Sequence, residues 1–338
     1  MNIKNVVTGN GVREAKETGP MGKELCKNNI PIIDLSSFNS YGEDCYYRQI
    51  STAREVFDAA INTGFFYVSN HGVNSDLISN VFNVSKYFFN LRSDYKLKLN
   101  EDLREHRRGY NPPSKNTNNV GNKESLESFY AGSEPPHHLS DYHQEYCLNI
   151  WPSDNPFFVS YVSSYFTAMS IFARTMFQVF ALALNLPADF FKAYTDHPGS
   201  MLRMLHYRPQ TIREYESEML GARAHSDHNW FTILAQDCIG GLQVLGNDGY
   251  WIAATPIAGT FVINIGDQLS RFTNNTFKST VHRVVNVNNG DRYSVAFFNG
   301  IDHEKYITPM DNNNPLTTEE SIRSGDYLLK RRNETYAS

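Results

Sequence analysis

Two imidazoles and one carboxylate stand in this chain at a spacing that lets them share one cation. His225 and Asp227 are two residues apart, and His282 follows within Thr280-Val281-His282-Arg283-Val284. Three such ligands on one face of an ion leave three positions open, which suits Fe(II) holding a co-substrate and O2 side by side. Arg292 and Ser294, also two apart, bring a planar guanidinium fork and a hydroxyl to one strand face, a pairing fitted to a small carboxylic acid. Tyr207 can add a third hydrogen bond to that acid. Together these residues predict an oxidative enzyme.

The triplet alone is weak support, since chance alone yields about 0.6 His-x-Asp triplets in a chain with 11 histidines and 18 aspartates. Its context strengthens it. His225 and Asp227 stand at the opening of a predicted strand, where side chains two apart share a face, and His282 lies in another strand-like run. His143-Gln144-Glu145 offers the same alternation, but in a polar loop that reads as solvated surface. His228 falls on the opposite parity and reads as a structural or supporting histidine, and His206 is similar.

The elements that must position these residues follow from periodicity. Ile30 to Leu35 reads as a short strand; Ala53, Val56, Phe57, Ala60 and Ile61 repeat at helical spacing ahead of a capping Gly64; Phe65 to Val68 reads as a buried strand. A second helix runs from about Ser75 to Phe89. From Glu101 to Asn149 the chain is polar and proline-punctuated, mostly loop with room for short strands, and suited to line an active-site mouth. The longest helix spans Pro156 to Leu184, capped by Asn155, with one apolar stripe that marks it as scaffold.

Beyond Leu202 the texture turns to short β-rich runs, at Phe231–Leu234, Leu242–Val244, Phe261–Asn264, Val281–Val287 and Tyr293–Phe298. These imply a sandwich, barrel or jelly roll. A terminal helix is expected from Thr317 to Arg332. The expected organisation is a polar arm over 1–28, either mobile or an edge packed on something else, helices, strands and a long loop over 29–155, a scaffold helix over 156–200, a β core over 201–310, and a helical tail over 311–338. The fold class is mainly β with helices (α+β).

A formal charge of −5 and a pI near 6.1 give no basic footprint for nucleic acid, so none is expected as a partner. The four cysteines stand far apart without a CxxC pair, and reduced thiols in a cytoplasmic protein are expected. The polar start lacks the apolar run of a signal peptide, and no membrane span is expected. The partner expected is a small-molecule substrate; the sequence sets no oligomeric state.

These residues are also embedded in motifs. Ile30-Pro31-Ile32-Ile33-Asp34-Leu35, Gly64-Phe65-Phe66-Tyr67-Val68-Ser69-Asn70-His71-Gly72-Val73, Arg108-Gly109-Tyr110, Glu127-Ser128-Phe129-Tyr130-Ala131-Gly132 and Asn149-Ile150-Trp151-Pro152 are followed by His225-Ser226-Asp227, Gly240-Gly241-Leu242-Gln243-Val244, Asn264-Ile265-Gly266-Asp267, Ser279 to Val284 and Arg292-Tyr293-Ser294. In this order and spacing the chain resembles the isopenicillin-N-synthase-like branch of the Fe(II)/2-oxoglutarate-dependent dioxygenases over nearly all of residues 30–310.

The resemblance implies a distorted double-stranded β-helix, or jelly roll, with helices packed outside it. It implies Fe(II) on His225, Asp227 and His282, with 2-oxoglutarate chelating the metal through its C1 carboxylate and C2 keto oxygen. The far carboxylate would meet Arg292 and Ser294, with Tyr207 beside them, and O2 would take the remaining position. Succinate and CO2 would leave as a small metabolite is hydroxylated, desaturated or cyclised in a biosynthetic step. Tyr110, Tyr130, Phe298 and Asn299 are placed as pocket walls by analogy.

The chain departs from the plant-type pattern at His206-Tyr207-Arg208-Pro209 and at Gly300, so flavonoid-type substrates do not carry over. Two alternatives stand beside the main reading. One is an Fe(II) oxidase of the same fold that uses no 2-oxoglutarate; the other is a non-redox, metal-binding cupin-like protein.

Overall fold

The computed structural model describes residues 3–8, 11–17, 19–21, 30–40, 44–100, 108–113, 125–134, 146–217, 219–288, 290–310 and 321–337. Two β-sheets face one another. The larger has eight strands in the order β3 (Ile32–Asp34), β4 (Phe65–Ser69), β12 (Phe261–Ile265), β9 (Phe231–Gln236), β14 (Arg292–Asn299), β7 (Met201–Tyr207), β6 (Leu126–Gly132) and β5 (Gly109–Asn111). The smaller runs β11 (Trp251–Ala253), β10 (Leu242–Leu245), β13 (His282–Val284) and β8 (Ala222–His225). All neighbours pair antiparallel except β3 with β4.

Alternation along the strands of the larger sheet divides its side chains between two packed faces. Ala296 and Phe298 of β14 pack between the sheets with Leu205, Tyr207, Phe65 and Tyr67 of the larger sheet and Leu242, Val244 and Val284 of the smaller. Tyr293, Val295 and Phe297 instead face the helices on the outer side of the larger sheet. The period of two therefore puts Arg292 and Ser294 on the inner face. This closed sandwich with external helices is the expected α+β jelly roll.

The helices are set by local signals. In α1 (Cys45–Asn62), Ala53, Val56 and Ala60 bury one stripe, and the chain leaves the helix at Gly64, whose φ of +66° favours glycine and whose N–H donates to Ala59 O at 2.9 Å. Asn74 caps α2 (Ser75–Phe89) by accepting from Asp76 N at 2.7 Å. Asn155 caps α4 (Pro156–Ala183) by accepting from Phe158 N at 3.0 Å, and Thr211 caps the short α5 (Ile212–Glu216) by accepting from Glu214 N at 3.1 Å. By length and composition α4 could cross a membrane, contrary to expectation, but its stripe of Phe158, Val162, Tyr165, Met169, Phe172 and Met176 is buried in the helix-side core.

Two segments take one of the forms that the sequence reading left open, and the terminal helix departs from its expected start. The described part of the N-terminal arm is a packed edge: β1 (Ile3–Thr8) and β2 (Gly11–Lys16) form a hairpin, Lys16 N donates to Gly249 O, and Glu17 pairs with the buried Arg283 at 2.8 Å. Within the polar stretch after Glu101, β6 is a fully buried strand between β5 and β7. Its Glu127 and Ser128 break the apolar signal, and Glu127 is neutralised by Lys96 at 2.7 Å, on α3 (Ser93–Leu97). The terminal helix, α7 (Ser324–Ala337), starts later than expected, after β16 (Ile322–Arg323) pairs with β15 (Tyr306–Ile307).

Candidate active site

His225 is the last residue of β8, His282 the first of β13, and the two are register partners across the smaller sheet. Asp227 lies in the turn beyond β8, so the His-x-Asp pair closes a strand where the sequence suggested that it opens one. The turn returns the carboxylate to the two rings. His225 Nε2 is 3.7 Å and His282 Nε2 3.8 Å from Asp227 Oδ1, and the three ligand atoms lie within 4.8 Å of one another.

Hydrogen bonds aim each donor. His225 Nδ1 is 2.7 Å from Arg223 O and His282 Nδ1 is 3.3 Å from Thr280 O, which leaves both Nε2 lone pairs directed inward. Asp227 Oδ2 accepts from Thr232 Oγ1 at 2.5 Å and from Asn264 Nδ2 at 2.8 Å, so Oδ1 is the oxygen presented to the histidines. Burial alone would push Asp227 up, but His282, His225 and those two hydrogen bonds outweigh it and hold the carboxyl below its usual range. Burial, then the His225 charge, pushes His282 down to about 4, so it is a neutral ligand at pH 7. Two inward-facing imidazole nitrogens and one ionised carboxylate, with no fourth protein donor in the group among the described residues, fit an Fe(II) that keeps open positions.

Arg292 is completely buried on the inner face of β14, paired in register with Tyr207. Its Nη1 donates to Ser294 Oγ and its Nη2 to Gln236 Oε1, each at 3.1 Å, while the guanidinium carbon sits 4.8 Å over the Tyr207 ring. Nε has no partner, and among the described residues no carboxylate lies within ion-pair distance. A buried cation without a counter-charge is costly, and the fork is shaped for a carboxylate.

The four pocket expectations divide by parity. Phe298 lies with the inner cluster, and Tyr130 is on the inner face of β6, its ring 4.9 Å from the guanidinium carbon of Arg203. Tyr110 is on the wrong face: it packs among the helix-side aromatics and donates to Glu127 Oε2 at 2.6 Å. Asn299 has the parity of Phe297, and its amide donates to the Phe297 carbonyl. His228 stands outside the ligand cluster, His206 bridges Glu127 and Asp291 on the helix side, and His143-Gln144-Glu145 lies outside the described residues.

Sequence reasoning missed the supporting shell. Thr232 and Gln236 are ordinary polar residues in strands that only their inward parity could have marked, while Asn264 stands in a motif of the sequence with no role read for it. Asp267 opens α6 (Asp267–Phe272), with its N–H on Asp227 O at 2.7 Å. Burial pushes its carboxyl up, against the hydrogen bond from Ser279 and the charge of Arg331. Gly266 before it is required by contact, because a Cβ there would lie 2.0 Å from Asn229 O.

Comparison with known families decides the class. Residues 198–301 match the 2OG-Fe(II) oxygenase superfamily, and residues 30–154 match the N-terminal region described as non-haem dioxygenase in morphine synthesis. The chain belongs to the Fe(II)/2-oxoglutarate-dependent oxygenases. It is 32% identical to the 2-oxoglutarate-Fe(II) type oxidoreductase ppzC of Metarhizium rileyi, over 86% of this chain and 84% of that protein. It is 31% identical to the oxidoreductase hxnY of Emericella nidulans, over 90% and 92% respectively. A full-length Neurospora crassa protein, solved in complex with α-ketoglutarate and thymine, superposes with a TM-score of 0.79 at 29% identity, covering 92% of this chain and 99% of that one. As a member of this oxygenase family the protein is an oxidoreductase that uses Fe(II) and 2-oxoglutarate with O2.

Proposed function

We propose that His225, Asp227 and His282 hold Fe(II), and that Arg292, Ser294 and Tyr207 receive the far carboxylate of 2-oxoglutarate, in an oxygenase acting on a small metabolite. When bound, the metal and co-substrate supply O2 activation, with succinate and CO2 as by-products. The observation that carries the reading is the buried guanidinium of Arg292, which has no counter-anion among the described residues and lies on the same inner face as the support of Asp227. The chain's own contribution is orientation. Backbone carbonyls fix both imidazole tautomers, Thr232 and Asn264 hold the carboxylate, and Ser294 and Gln236 hold the fork.

Tyr130 and Phe298 offer an aromatic inner wall for the substrate, in keeping with the single-ring thymine of the Neurospora crassa complex. The comparisons favour this reading over the co-substrate-free oxidase and the cupin. Anaerobic Fe(II) titration with and without 2-oxoglutarate tests it. A visible charge-transfer band that needs both components is expected, together with one succinate per substrate oxidised. Iron binding without the band would sink the 2-oxoglutarate role of Arg292, and an unchanged iron affinity in His225→Ala would sink the ligand set.

A further inference from the structure

The C-terminal helix reaches the metal-binding turn through a single buried carboxylate. Asp267 is wholly buried and touches both segments that carry the three proposed ligands. Its Oδ2 accepts from Ser226 Oγ at 3.2 Å, and Ser226 stands between His225 and Asp227. Its Oδ1 accepts from Ser279 Oγ at 2.6 Å, and the next residue, Thr280, offers the carbonyl that orients the His282 ring. A carboxylate taken this far out of water is held in place by a cation beside it. Arg331 of α7 brings its Nε to 3.3 Å from Asp267 Oδ2.

We propose that Arg331 is a positioning residue for the metal centre, acting through Asp267, so that the C-terminal helix helps to set the site's affinity for its ion. The inference rests on the ligand assignment proposed above. With Arg331 in place, Asp267 is fixed where both serines donate to it, which keeps the two ligand segments in register with one another. Without the cation, the buried carboxylate lacks its charge partner and is drawn away towards water, and the two segments lose their common anchor. The helix has other attachments, with Gln268 Nε2 donating to Ser324 Oγ at 3.0 Å and Tyr327 in the helix-side core. Removing the charge alone therefore leaves it docked.

The test is anaerobic Fe(II) calorimetry on the full-length protein and Arg331→Met, with the melting temperature of each metal-free protein and the ligand-field spectrum of each Co(II) form. The expected result is Fe(II) binding weakened by about 10- to 100-fold, the range seen when groups orienting a metal ligand are removed. Altered Co(II) bands should accompany it, and Arg331→Lys should recover most of the affinity. A lowered melting temperature with unchanged Fe(II) affinity and Co(II) spectrum would make Arg331 a purely structural residue and overturn the proposal.

If Arg331→Met does not fold, Ser279→Ala probes the same link by deleting only the hydroxyl between Asp267 and the His282 segment. Weaker Fe(II) binding supports the proposal, and unchanged binding overturns it. A wild-type protein that takes up no Fe(II) would instead bring down the ligand assignment, and this inference with it.

Discussion

Replacing Arg292 by methionine should separate stability from ligand binding. In the metal-free protein, the substitution removes a buried cation whose desolvation costs several kcal/mol. It also deletes the hydrogen bonds to Ser294 and Gln236, at about 1–3 kcal/mol for each group left unsatisfied. These terms oppose one another, so the unfolding free energy should move by no more than about 2 kcal/mol. Binding has no such compensation. Two charge-assisted hydrogen bonds to a carboxylate are worth about 3–5 kcal/mol together, so 2-oxoglutarate should bind about two to four orders of magnitude more weakly.

The assay is thermal unfolding under argon with Fe(II), with and without 2-oxoglutarate. Held at 100 times its Kd, the co-substrate stabilises the wild type by about 2.7 kcal/mol; after a hundredfold loss of affinity the gain falls to about 0.4 kcal/mol. A variant that melts far below the wild type yet keeps its full 2-oxoglutarate shift would show that Arg292 is a structural cation, and the reasoning would fail.

Thr232→Ala removes one of two hydrogen bonds on Asp227 Oδ2, and should weaken Fe(II) binding by about tenfold with a stability cost of about 1–2 kcal/mol; calorimetry reads both, and unaltered metal affinity refutes the role. Tyr110→Phe should leave substrate kcat and KM unchanged while costing about 1–2 kcal/mol, because its hydroxyl serves Glu127 on the helix side; a raised KM would restore it to the pocket. His303 is held down to about 4, by burial first and then by the charges of Arg323, Arg332 and Arg108. Its folded value lies below the ordinary 6.5, so the unfolded chain takes up the proton first, and stability is lost as pH falls from about 6.5 towards 4. Relative to pH 7 the loss at pH 5 is about 2 kcal/mol. Chemical denaturation of His303→Gln should show that much less pH dependence, and an identical slope would refute the account.

Much of this site was legible because its chemistry obeys strand parity. Arg292 and Ser294 share the inner face as their spacing requires, and the stripe and cap of α4 stand where periodicity put them. What escaped depends on partners far away in the chain. The polar Glu127 hides β6 as a buried strand because its counter-charge, Lys96, lies 31 residues earlier and on a different element. Thr232, Asn264 and Asp267 gain their roles only when the sheet closes, since nothing in a lone threonine or asparagine names the carboxylate it will hold. Tyr110 and Asn299 are pocket walls by analogy alone, and the pleat puts both on the other side.

The N-terminal hairpin has a practical consequence for handling the enzyme. Glu17 supplies the counter-charge for Arg283, the immediate neighbour of His282, and Pro20 O accepts from Gln243, which in turn accepts from Arg283. Trimming this hairpin and the residues up to Pro20 would strip the outside of the strand whose first residue, His282, is a proposed iron ligand, so affinity tags and truncations belong elsewhere.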